Sequence, residues 1–254
     1  MKIKFNVRRE LKIGAAILVV ISAIAFTEHK QTEVAIHDVS VRIKNSDNNH
    51  FLEESDILDL MQLNRQNLLG AKVEQVKLKA IENKIKKDPF IKSAEMYSDL
   101  KGNLIVRVEL RRPLARIVRN DGPDGYIAED GTIMPVSEKF TARVLLISGN
   151  YVRTLLRQTN LNHTEEGLKL LQLINTIRED EFWNAQIAQL DMDSKGRITM
   201  VPQVGDERIE FGKAENEKNK LKKLMIFYKE ILPRVGWDKY NRVNLEYEGQ
   251  LVAE

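Results

Sequence analysis

The chain contains no cysteine. That absence excludes thiol catalysis, zinc held by thiolates, disulfide cross-links and a lipoprotein anchor on an acylated cysteine. Histidine is scarce: His29, His37, His50 and His163 are far apart, and no two stand at a helical or loop spacing that suits a metal. No glycine loop can cradle a phosphate, because Asp121-Gly122-Pro123-Asp124-Gly125 has the wrong residues and no helical stretch behind it. A Gly-x-Ser-x-Gly elbow is missing too. Asp191-Met192-Asp193-Ser194-Lys195-Gly196 opens like a calcium loop, but Lys195 fills a ligand position and Pro202 stands where the closing carboxylate belongs. It reads as a hairpin turn. Charge of one sign is also lacking, since 40 basic residues against 37 acidic ones leave a net +3, with no broad basic face for nucleic acid. No internal repeat or low-complexity tract occurs. The reading is a non-enzyme without cofactor, metal, nucleic acid or small-molecule substrate, although acids and bases cannot be paired from sequence alone.

One long apolar run is present. From Ile13 to Phe26 every residue is apolar or small, including Leu18, Val19, Val20, Ile21 and Ile24. Counted from Leu11 to Thr27 it is about 17 residues, or roughly 25 Å of helix, enough to cross a bilayer if Lys12 snorkels. Lys2, Lys4, Arg8, Arg9 and Lys12 precede it against a single Glu10, and no excess of positive charge follows. By the positive-inside rule, residues 1–12 form a cytosolic stub, 13–27 a transmembrane helix, and everything beyond is exported. Two other readings stay open on composition. The same basic start, short apolar core and Ala23-Ile24-Ala25 satisfy a cleavable signal peptide, which would leave a secreted periplasmic binding module. A buried core helix suits the run less well, because fourteen unbroken residues beside a basic terminus serve a soluble core poorly.

Residues 28–35 read as a polar linker. Val39, Val41 and Ile43 then alternate with Asp38, Ser40 and Arg42, the period of a half-buried strand. Glu53, Glu54 and Asp56 open a helix carrying Ile57, Leu60 and Met61, and Leu78, Ile81 and Ile85 mark a second one ended by Asp88-Pro89. Strands follow over 91–98 and 104–110. This β-α-α-β-β order over 36–112 suits one α/β layer with both helices on one sheet face. From 113 to 254 hairpins dominate: strands at 114–118, 126–128, 133 and 144–147, with Asp130-Gly131 as a turn. Thr164 caps a helix to about Arg178, and 186–192 pairs with 198–201. A further helix carries Leu221, Leu224, Tyr228 and Ile231, and a last strand runs from Arg242 to Ala253. The lysine-rich stretch 213–223 reads as the solvated face of its helix. Trp183 and Trp237 read as packing residues. The fold class is α+β: one transmembrane helix, the small module, and a mixed or antiparallel β domain with flanking helices.

The order of motifs is more telling than any one of them. Asn67-Leu68-Leu69, Pro89-Phe90-Ile91-x-x-Ala94, and Leu104-Ile105-Val106-Arg107-Val108-Glu109-x-x-x-Pro113-Leu114-Ala115-Arg116 resemble the polypeptide-transport-associated (POTRA) module of FtsQ/DivIB. Tyr126-Ile127-x-x-Asp130-Gly131-Thr132-Ile133-Met134-Pro135 and Leu146-Ile147-Ser148-Gly149 are similar to the stretch beyond that module. Val243-Asn244-Leu245-Glu246-Tyr247-Glu248-Gly249-Gln250-Leu251-Val252-Ala253 is similar to the closing strand. The resemblance implies a single-pass division protein of the bacterial inner membrane, located at the septum. Its last strand would offer an edge to an FtsB/DivIC-like partner held with an FtsL-like one, through Val243, Leu245, Tyr247, Gly249, Gln250, Leu251 and Val252. The physics of strand addition agrees with the alternation of Val243, Leu245, Tyr247 and Leu251. The family often has an acidic residue and an arginine where Asn244 and Glu246 stand, so no salt bridge is carried over there. A chaperone of export or outer-membrane assembly using the same module is the alternative; it would come with tandem modules and a barrel, which this sequence does not suggest.

Overall fold

The computed structural model describes residues 14–23, 35–47, 49–61 and 68–254. The expected site residues Lys12, Ile13, Ile24, Phe26 and Asn67 lie outside the described residues. Two compact units emerge, one from residues 1–44 and 52–110, the other from 45–51 and 111–254. Residues 14–23 form helix α1, and all of them are exposed. Among the described residues no helix is long and apolar enough to cross a membrane.

The first unit contains β1 (Asp38–Lys44), α2 (Glu54–Met61), α3 (Leu78–Ile85), β2 (Ile91–Ser98) and β3 (Asn103–Leu110). Its sheet has the order β1-β3-β2, with β1 parallel and β2 antiparallel to β3. The alternation expected of β3 is present: Leu104, Val106, Val108 and Leu110 are buried and their neighbours half-buried. With Val39 and Val41 on one side and Ala94 and Met96 on the other, they form a layer that Ile57, Met61 and Ile85 of the helices cover. The motif residues Ala94, Val106 and Val108 are core residues, and Phe90 is nearly buried. Asp88 receives the Phe90 N–H at 2.9 Å, which turns the chain from α3 into β2.

Glu82 is a buried carboxylate on α3 that accepts the backbone N–H of Met96 at 2.8 Å and the Lys79 ammonium at 2.9 Å. Since β2 is an edge strand, this caps a donor that would otherwise face outward unpaired. Burial pushes the carboxyl up, but the Lys79 ammonium and the Met96 N–H outweigh it, and the group ends below the ordinary carboxylate range. A carboxylate lowered on folding stabilises the fold above its unfolded value and loses that contribution as pH falls through the folded one. Urea unfolding followed from pH 6 to pH 3 will therefore show a stability loss below about pH 4.5 that Glu82→Gln flattens. Glu82→Ala will cost about 1–3 kcal/mol at neutral pH by stranding the Met96 N–H.

The second unit is a mixed nine-stranded sheet of order β12-β11-β10-β9-β8-β7-β4-β5-β6. Its strands are β4 (Pro113–Ile117), β5 (Gly125–Ala128), β6 (Ile133–Pro135), β7 (Leu145–Gly149), β8 (Ile187–Met192), β9 (Ile198–Pro202), β10 (Arg208–Gly212), β11 (Arg242–Asn244) and β12 (Val252–Ala253). Helices α4 (Val152–Leu156), α5 (Glu165–Glu179), α6 (Glu181–Gln186) and α7 (Glu217–Ile226) intervene, and α7 runs through a π turn at Phe227–Ile231 into α8 (Leu232–Val235). Parallel pairs β4–β7, β7–β8 and β10–β11 sit among antiparallel ones. Thr164 caps α5 as expected, its hydroxyl accepting the Gly167 N–H at 3.1 Å. The stripe Leu170, Leu173, Ile174 and Ile177 of α5 joins Leu221 and Leu224 of α7 over Ile147, Leu190, Met200 and Phe211 of the sheet.

Two elements depart from the sequence reading. Residues 45–51, expected within the first unit, cluster with the second, because Phe51 needs aromatic partners: its ring stands 5.3 Å from Tyr126 and 5.1 Å from Phe140. Asn49, buried beside it, donates to the Arg111 carbonyl at 2.8 Å. The single closing strand from Arg242 to Ala253 is also not formed. β11 ends at Asn244, a loop follows, and the chain folds back as β12.

Candidate partner-binding edge

A sheet of nine strands has two ends, and they differ in what their outward backbone groups do. At β6, the Ile133 N–H is donated to the Thr159 carbonyl at 3.0 Å, and Pro135 has no N–H to offer. That end is closed to an incoming strand. At the other end β11 pairs on both flanks, parallel to β10 and antiparallel to β12. Arg242 and Glu254 exchange both backbone bonds, at 3.1 and 2.9 Å. In an antiparallel ladder bonded pairs alternate with non-bonded ones, so the next bonded pair is Asn244–Val252, and the N–H and C=O of Ala253 point away from β11. Among the described residues no strand lies beyond β12 in the sheet. The free edge is therefore β12, two residues long.

The strand-addition set expected from sequence is split by this geometry. Val243 and Leu245 are fully buried in the core of the second unit. Tyr247 is 52% exposed, Gly249 and Gln250 are exposed, and Leu251 and Val252 are half-buried. Gly249 has φ 70°, a left-handed turn that brings the chain back antiparallel. Pro113 opens β4 and belongs to the sheet's interior architecture.

Polar side chains lock the strands beneath the edge. The Arg242 guanidinium grips Glu210 of β10 with two bonds at 2.7 and 2.8 Å and reaches Glu254 at 3.1 Å, so one residue joins three neighbouring backbone segments. Asn244 donates to the same Glu210 carboxylate at 2.7 Å. Held by the Arg242 guanidinium, Glu210 titrates below the usual carboxylate range. Asn244 thus bonds Glu210, and Glu246 pairs with Arg197 of the β8–β9 turn.

The turn at Asp193 uses its carboxylate as an acceptor for the N–H groups of Lys195 and Arg197, at 2.8 and 2.9 Å. That is the role of a hairpin residue. A cleft of about 310 Å³ beside the α5 N-terminus holds Lys169 between Glu165 at 2.7 Å and Glu215 at 2.9 Å, so that lysine is paired with two carboxylates. The lysine-rich stretch is not simply a solvated face. Lys220 donates to the Phe211 and Lys213 carbonyls at 2.8 and 2.9 Å, and Lys223 to three carbonyls of the loop before β12. Spacing of charge along a helix carries no sign of such targets.

Comparison with known families agrees with this two-unit architecture. Residues 35–109 match the model of a POTRA-like domain, and residues 112–254, more than half of the chain, match the model described as FtsQ/DivIB, C-terminal related. The chain belongs to the FtsQ/DivIB family. Proteins of this family are non-catalytic cell division proteins with a scaffold role that interact with other division proteins. A search of the curated proteins found no match.

Burial divides the closing segment of this FtsQ/DivIB chain into support and surface. Leu245→Ala will lower stability by about 2–5 kcal/mol, as truncation of a buried leucine does. Tyr247→Ala will leave it within about 0.5 kcal/mol. Urea midpoints of the two variants measured side by side check the division.

Proposed function

We propose that the chain is a bitopic, non-enzymatic scaffold of the bacterial division complex. Residues 13–27 span the inner membrane, the stub before them is cytosolic, and both folded units lie on the extracytoplasmic side at the septum. The exposed apolar surface of α1 supports the membrane reading, since Leu18, Val19, Val20 and Ile21 are each more than half exposed and have no core to enter. The flanking charges of the sequence set the orientation.

The observation that carries the binding reading is the open end of the second unit's sheet at β12. An FtsB/DivIC-like partner, held with an FtsL-like one, adds a strand there and takes the outward N–H and C=O of Ala253. Tyr247, Gly249, Gln250, Leu251 and Val252 line its approach, while Val243 and Leu245 act from beneath by anchoring β11. Removing everything after Asn241 would delete those two buried residues and confuse loss of docking with loss of the fold. A proline at position 253 is cleaner, because it removes one outward donor and leaves the inward bonds of Val252 and Glu254 in place. Full-length Ala253→Pro will capture the extracytoplasmic segment of the organism's FtsB/DivIC-like protein at least tenfold more weakly than the parent, with unchanged circular dichroism. Equal capture by both would rule out strand addition at β12.

A further inference from the structure

The free edge is too slight to hold itself. β12 has two residues, and the loop that delivers it, 246–250, is exposed throughout. A two-residue strand at a sheet end with an exposed connection belongs to the part of a fold that opens first. Yet three carbonyl oxygens of this loop converge on one point. The Lys223 ammonium donates to Leu245 at 3.0 Å, to Tyr247 at 2.7 Å and to Gln250 at 2.8 Å.

An ammonium has three donors and no acceptor, and here all three are spent on backbone oxygens. The lysine stem rises from α7, which Leu221 and Leu224 fix in the core, so the charge is held from a rigid element. The three acceptors span the whole turn, from the last buried residue of the β11 side to the residue before Leu251. A planar guanidinium fork matches such a converging set poorly, whereas a point charge with three rotatable donors matches it well. Burial lowers the Lys223 pKa, in keeping with an ammonium whose hydration has been replaced by carbonyls.

We infer that Lys223 is the positioning residue of the docking edge: its ammonium gathers the carbonyls of Leu245, Tyr247 and Gln250 and so sets the register in which β12 is presented to a partner strand. The docking half of this inference rests on the function proposed above; the ordering of the loop does not.

The absence of cysteine supplies the test. In full-length Lys223→Cys the new thiol is the chain's only one. Alkylation with 2-bromoethylamine rebuilds a lysine-like ammonium, and iodoacetamide gives a neutral amide of similar bulk. Hydrogen exchange of the bonded amides of Leu245, Glu246 and Glu254 will be at least tenfold faster in the carbamidomethyl form than in the parent, and aminoethylation will restore it. Exchange in β8 will be the same in all forms, which separates loosening of the edge from unfolding. Capture of the same FtsB/DivIC-like segment will weaken at least tenfold in the carbamidomethyl form and recover in the aminoethyl form. If the cysteine variant does not fold, Lys223→Met carries the comparison against the parent. Identical exchange of these bonded amides in the neutral and charged forms would overturn the clamp, whatever capture does. Loosened exchange with unaltered capture would overturn its link to docking. Failure of Ala253→Pro to alter capture would instead overturn the edge itself and leave the exchange result standing.

Discussion

A backbone N–H or C=O at the end of a β-sheet has to find a partner, and the second unit depends on how that demand is met at its two ends. At β6 it is met internally, by Thr159 and by a proline with nothing to donate. At β12 it is left open. The intervening strands and the helices over them make a rigid sheet whose one unfinished side lies at a defined place. A long, flat open edge invites aggregation, and the shortness of β12 limits that hazard while leaving room for a specific strand.

Around the open end, charge and packing share the labour. Val243 and Leu245 bury their side chains in the core, so β11 is fixed by the hydrophobic effect. Arg242 ties β10 to the end of the chain through Glu210 and Glu254, and Lys223 ties α7 to the loop between β11 and β12. Arg242 need not contribute much net stability, because solvent-facing ion pairs contribute little, and Lys223 spends its donors on carbonyls rather than on a countercharge. Their effect is geometric: they choose one arrangement of an exposed segment out of many.

Much of this was legible in the sequence where one physical rule acted alone. The alternation Leu104, Val106, Val108, Leu110, the Thr164 cap, the Asp130-Gly131 turn and the hairpin across Asp193 to Gly196 all stand where local pattern placed them. The closing strand was misread because period two runs on through Val243, Leu245 and Tyr247, while the chain in fact leaves the sheet after Leu245 donates to Glu210 and reverses at Gly249. Residues 45–51, inside the POTRA-like match, cluster in space with the second unit because the pull on Phe51 comes from Tyr126 and Phe140, far along the chain. Helix α6, with six residues, is too short to show a period. The lysines of α7 were read as solvated because a carbonyl partner leaves no trace in charge pattern. Of the candidate site, the closing segment is singled out by its sequence, but not which of its residues are buried, as Val243 and Leu245 are, and which are exposed, as Tyr247 is.

The central claim is that the outward side of β12 is unoccupied in this chain and filled by a strand from another. Residue-resolved amide exchange at Ala253, in the full-length protein with and without the extracytoplasmic segment of its FtsB/DivIC-like partner, tests it most directly. The account predicts rapid exchange in the free protein and at least tenfold slowing on addition of the segment. Strong protection already present in the free chain, or no change when the segment binds, would contradict it.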